Sequence, residues 1–150
     1  MAGTFRNGPV KIGGSRHTPP DFVAVAEEVE RLCDYVNDNW QEKDGLHLSA
    51  YVLWRLNWIH PFADGNGRTA RAISYVVLCT RLDGLLPGAP TIPDQIADDK
   101  KPYYAALETA DEAWAKTGGV DVSTMEALLK GMLAKQLISV IPGAQDEALR

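Results

Sequence analysis

Several things are scarce in this chain, and each scarcity narrows what it can be. Only two of its 150 residues are cysteines, Cys33 and Cys79. Both fall in helix-like apolar patterns, so they read as buried, reduced thiols of a cytosolic protein and not as a disulfide framework. Positive charge is also short: 15 Lys and Arg stand against 20 Asp and Glu, for a net charge of −5 and a pI near 5.1. No overall basic field is present to attract nucleic acid or an anionic membrane. The longest uncharged apolar run, Ile73 to Cys79, is too short to span a bilayer. Met1 to Ser15 is Gly-rich and broken by charges, unlike a signal peptide. His17 and His47 have no metal-ligating partner at useful spacing, so no zinc site is expected. Internal repeats and the GxxxxGK[ST] phosphate loop are missing as well.

What remains is an ordinary globular composition, 45% hydrophobic and 23% charged, enough for one domain over residues 1–150 with a proper core. The pattern predicts a mainly α protein. Asn7-Gly8, followed by alternating Val10 and Ile12, suggests a short β-hairpin over residues 4–13. Core helices are expected from about 19 to 140. The first opens on Thr18, Pro19 and Asp21 in capping-box register and buries Phe22, Val25, Ala26, Val29, Leu32, Cys33, Val36 and Trp40. Further helices should cover about 48–59, 66–84, 99–116 and 123–140, the last with Ser123 and Glu126 as a capping box. The Pro- and Gly-rich stretch "LLPGAPTIPDQ" reads as a loop, and 143–150 as a flexible tail.

One stretch carries the chemistry: "HPFADGNGRTAR", residues 60–71. It joins two helices, His60 leaving one and Gly65-Asn66-Gly67 entering the next. A helix start presents unpaired N–H groups and the positive end of the macrodipole. Glycines there let a phosphate approach those groups, and Asn66 adds an uncharged donor. Arg68 and Arg71 share a face of the following helix and can reach further phosphates. Asp64 is placed to hold a divalent cation against them. His60 titrates near neutral pH and can take a proton from a hydroxyl. Pro61 and Phe62 read as structural, the proline fixing the turn and Phe62 anchoring the loop in the core. A base beside a phosphate cradle implies transfer of a phosphorus-centred group to a hydroxyl.

The stretch resembles, position for position, the HPFx[DE]GN[GK]RxxR motif of the Fic (fido) family. "FRNGPVKIGGSRHTPP" is similar to the flap hairpin of that family, and "KKPYYAALETAD" to the helix whose tyrosines line the base pocket. The resemblance implies a Fic-type helical bundle with a β-hairpin flap, and transfer of AMP from ATP to a Ser, Thr or Tyr hydroxyl of a target protein. It implies His60 as the base, with Asn66 and Arg68 assisting catalysis. Gly65, Asn66, Gly67, Arg68 and Arg71 would hold the phosphates, and Asp64 would hold Mg²⁺ or Mn²⁺. Tyr103 and Tyr104 would line the base pocket, and Val10, Lys11, Ile12 and Gly13 would align the target by strand addition.

Gly67 favours nucleotidyl transfer, because a family branch with Lys there resembles kinases. UTP, GTP or phosphoryl transfer stays open, as does an inhibited nucleotide-binding toxin module without turnover. The family's inhibitory pattern [S/T]xxxE[G/N] is not found in the chain. The resemblance therefore implies a separate antitoxin-like partner, or a fragment cut below its inhibitory helix, or an enzyme without such control; it also speaks against removal of AMP. A bacterial protein, cytoplasmic or delivered into a host cell, acting as monomer or homodimer without nucleic acid or membrane, completes the expectation.

Overall fold

The computed structural model describes residues 3–143, and six helices make up its framework. They are α1 (Val25–Asp38), α2 (Gly45–Ile59), α3 (Asn66–Arg81), α4 (Ile92–Asp98), α5 (Lys101–Thr117) and α6 (Ser123–Ile138). A single 3₁₀ turn, Phe22–Ala24, leads into α1.

Helix α2 is the axis of the bundle. Leu48, Ala50, Val52, Leu53, Trp54, Leu56 and Ile59 are buried around its whole circumference. A helix apolar on all sides must be enclosed, and α1, α3, α5 and α6 all pack against it. Asp44 fixes its start by accepting the His47 N–H at 2.8 Å. Its far end is therefore held rigidly in the core, and that end carries His60.

Several sequence-based expectations need correction. No strand occurs among the described residues, so the 4–13 hairpin is not formed. The backbone of that segment bonds elsewhere: the Arg6 N–H donates to the Pro61 carbonyl at 2.8 Å, and the Gly8 carbonyl accepts from the Arg6 side chain. Pro9 removes one further donor. The first helix starts later than Pro19, because Asp21, not Thr18, is the capping residue and accepts the Val23 N–H at 3.0 Å. Phe22, Ala26 and Cys33 are exposed; only Cys79 of the two free thiols is buried.

The presumed loop at 85–95 contains α4. Thr91 and Asp94 form a reciprocal capping box there and Pro93 sits in the first turn. At α6 no capping box forms. The Ser123 hydroxyl donates to Asp121, and Glu126 turns to His47 at 2.7 Å. The expected tail at 143–150 lies, but for Gly143, outside the described residues.

Candidate functional site

Helix α2 ends abruptly. His60 adopts a left-handed conformation, φ 51° and ψ 59°, while its N–H still donates to the Leu56 carbonyl at 3.0 Å. Few non-glycine residues take this backbone, and where they do the surroundings hold them there. Buried Pro61 forces the chain onward without a helical hydrogen bond.

The turn that follows is closed by Asn66. Its Oδ1 accepts the Phe62 N–H and its Nδ2 donates to the Phe62 carbonyl, both at 2.8 Å. Asn66 is 4% exposed. Its amide oxygen and one of its two amide N–H groups are thus committed to the loop. Phe62 is half-buried and packs its ring against Phe5, at 6.0 Å between centroids; it is not the core anchor its sequence suggested.

Gly65 takes φ 81° and opens α3. A Cβ at Gly65 would lie 3.4 Å from the Arg68 guanidinium, and one at Gly67 would lie 3.3 Å from that of Arg71. The two glycines therefore leave room for both arginine heads close to the backbone at the start of α3. Arg68 and Asp64 approach each other at 3.4 Å with both side chains exposed. A pair so solvated holds weakly, so an incoming polyanion and cation can separate it. Asp64 suits a small divalent ion that takes one protein carboxylate and completes its shell with phosphate and water. Among the described residues no cluster of three or more metal-ligating side chains occurs.

The His60 ring is half-buried and its Nδ1 lies 3.3 Å from the Asn57 carbonyl. Burial pushes its pKa down; the Asn57 carbonyl opposes that, and the Arg6 and His17 charges reinforce it. A neutral ring whose Nδ1–H faces a carbonyl leaves the Nε2 lone pair available as a base. Nε2 has no hydrogen-bond partner among the described residues.

A cavity of about 220 Å³ has three walls, one of them the last turns of α2 before His60; none of residues 60–71 lines it. Residues 12–15 and His17 form one wall. Trp54, Asn57 and Trp58 of α2 form the second, and Tyr104, Leu107, Glu108 and Asp111 of α5 the third. Both helical walls follow the three-and-four spacing of a single face. The Trp54 indole N–H donates to Asp111 at 2.8 Å, and burial raises the Asp111 pKa.

The two tyrosines that sequence could not separate are separated here. Tyr104 is 53% exposed and lines the cavity, whereas Tyr103 is 1% exposed and accepts from Asn57 Nδ2 at 2.7 Å. Burial pushes the Tyr103 hydroxyl up to about 12, with Arg71 acting in the opposite direction. Of the flap residues, Ile12 and Gly13 line the cavity; Val10 is half-buried and Lys11 exposed, neither lining it. Sequence reasoning missed Arg6, Asn57, Trp58 and Asp111. The spacing of Trp54, Asn57 and Trp58 on one helix face was the available signal.

Comparison with known proteins adds to this geometry. Residues 1–78 match a family model described as the Fic/DOC family. Over 113 residues the chain is 33% identical to a protein adenylyltransferase Fic from Drosophila willistoni, covering 73% of this chain and 20% of that protein. The corresponding protein of Drosophila persimilis is 34% identical over 115 residues, with the same coverage of each. The protein adenylyltransferase fic-1 of Caenorhabditis elegans is 31% identical over 111 residues. This chain thus spans about a fifth of the length of those curated relatives. Among solved structures, a Fic domain containing signaling protein from Bacteroides thetaiotaomicron superposes with a TM-score of 0.74 at 19% identity, over 95% of this chain and 56% of that one. A Fic family protein from Desulfovibrio desulfuricans gives 0.69 at 24% identity, over 97% and 40%. At these identities the likeness is one of fold.

Proposed function

This chain belongs to the Fic/DOC family, and from that premise we propose that it is a protein adenylyltransferase, moving AMP from ATP to a Ser, Thr or Tyr hydroxyl of a target protein. The observation that carries this reading is the half-buried His60 ring, its Nε2 unpartnered among the described residues, five residues before the glycine that opens α3.

In this reading the triphosphate lies over the start of α3, bound by backbone N–H groups of residues 65–68 and by Arg68 and Arg71. Asp64 turns away from Arg68 to hold Mg²⁺, which neutralises phosphate charge when bound. The base enters the cavity beside Tyr104, and Ile12 and Gly13 border the path of the target segment. His60 Nε2 accepts the hydroxyl proton as that oxygen bonds to the α-phosphorus, and the bond to pyrophosphate breaks. Proton acceptance of this kind contributes typically about 10²–10⁴ in rate. Gly67 supports nucleotidyl over phosphoryl transfer, because the family branch with Lys at this position is the one that resembles kinases.

Intact-mass analysis of candidate target proteins after incubation with the chain, Mg²⁺ and each of the four NTPs tests the proposal. The expected result is a nucleotidyl mass increase, greatest with ATP and lost in His60→Ala. A phosphoryl increment, or an increment that survives His60→Ala, would refute it.

A further inference from the structure

Arg6 is 7% exposed, yet its guanidinium meets only carbonyl oxygens. Nε donates to His60 O at 2.8 Å, Nη1 to Gly8 O at 3.1 Å, and Nη2 to Pro20 O at 2.5 Å and Ile59 O at 3.3 Å. Its own N–H donates to Pro61 O at 2.8 Å. Ile59, His60 and Pro61 are consecutive, and they stand at the end of α2 where a helix exposes unpaired carbonyls and partial negative charge. Asp21 acts on the guanidinium electrostatically, but no ion pair forms between them. A cation withdrawn from water without a paired carboxylate is costly. The compensation here is a set of carbonyls drawn from two segments: the turn carrying His60, and the stretch from Gly8 to Pro20, which His17 also ties to the end of α2 through the Trp58 carbonyl at 2.8 Å.

We propose that Arg6 is a positioning residue for His60: one guanidinium fixes both the left-handed turn that aims the imidazole and the segment that borders it. This rests on the reading of His60 as the general base. Lysine would keep the charge, but a single ammonium cannot span four carbonyls in the planar geometry of a guanidinium. The charged groups acting on the His60 ring are Arg6 and His17, and both oppose its protonation after burial, the largest influence. Loss of the Arg6 charge therefore raises the His60 pKa and moves the acid limb of the rate profile to higher pH.

The test compares wild type with Arg6→Gln and Arg6→Lys, following the His60 imidazole by NMR titration and the transfer reaction by kcat and nucleotide KM. In Arg6→Gln the His60 pKa should rise and kcat fall roughly 10- to 100-fold, with nucleotide KM within about twofold because the phosphate cradle is untouched. Arg6→Lys should return the titration toward that of wild type while kcat stays depressed. If Arg6→Gln does not fold, Arg6→Lys decides alone: wild-type kcat overturns the proposal. So does an Arg6→Gln protein whose His60 titration is unmoved, whatever its rate. Wild type without transferase activity would refute the functional reading instead, and the NMR titration would still decide whether Arg6 governs His60.

Discussion

Replacing Asn66 with alanine separates two roles that the motif alone cannot. As a phosphate donor, Asn66 would matter only when nucleotide is bound. As the residue that closes the turn, it must matter in the free protein. Its amide makes two hydrogen bonds at 2.8 Å, to the N–H and the carbonyl of Phe62, and the side chain is almost wholly buried. Each bond contributes about 0.5–1.5 kcal/mol net, and a buried group left without a partner costs about 1–3 kcal/mol. Phe62 is only half-buried, so water can reach part of what is uncovered and the lower range applies. A loss of about 2 kcal/mol is expected. With a urea m-value near 2 kcal/mol/M for a chain this long, the unfolding midpoint should drop by about 1 M. Urea unfolding followed by tryptophan fluorescence, without nucleotide, measures it directly. An unchanged midpoint together with lost nucleotide affinity would refute the loop-closing role.

Tyr103 and Tyr104, adjacent in sequence, should respond differently. Tyr104→Ala should weaken ATP binding by about tenfold, in line with loss of an aromatic stacking surface, with little change in melting temperature. Tyr103→Phe should instead leave the Asn57 amide short of one partner and cost about 1 kcal/mol of stability; calorimetry on both variants distinguishes them. At the opposite end of the bundle, Gln136 is fully buried and serves the Ile92 N–H, the Tyr75 hydroxyl and the carbonyls of Leu86 and Pro87. Gln136→Leu should lower stability by about 2–4 kcal/mol through those stranded groups, visible as a lower melting temperature with unaltered ATP affinity in whatever protein remains folded.

The site was legible in the sequence where its residues are contiguous. Residues 60–71 declared a helix end, a glycine-rich mouth and two arginines, and the structure places 60–65 in the turn between α2 and α3 and 66–71 at the start of α3. Helices α2, α3, α5 and α6 were legible as long helix-forming runs bounded by proline, glycine or capping residues. Helix α4 was not: seven residues flanked by prolines carry too little periodicity to outweigh turn chemistry, and its capping box was hidden inside an apparent loop. The hairpin failed for another reason. Local turn propensity at Asn7-Gly8 is real, but the backbone of that segment has a stronger offer from the α2–α3 turn, made through Arg6. Long-range partners such as Arg6–His60 and Tyr103–Asn57 leave no periodic trace, so they had to be seen.

For a chain of net charge −5, the proposed polyanion site calls for a local explanation. At physiological ionic strength, however, charges beyond about 8 Å are largely screened, so what matters is the field within a turn or two of the site. Two helix ends of opposite polarity meet there. The C-terminal carbonyls of α2 would present negative charge beside the proposed phosphate site, but Arg6 covers them from within. The N-terminal N–H groups of α3 keep their positive end open, with the Arg68 and Arg71 heads close to the backbone there. Asp64 is the one acidic side chain of the motif, and Arg68 already lies beside it. The local balance is therefore cationic inside an acidic protein, and it is set by where the helices start and stop more than by composition. The same arrangement keeps His60 neutral: burial and the neighbouring cations act together to hold its pKa below the ordinary histidine value. In the proposed reaction the base must take a proton at neutral pH and needs that bias, and the proposed phosphate site needs the same positive surroundings, so one electrostatic environment would serve both tasks.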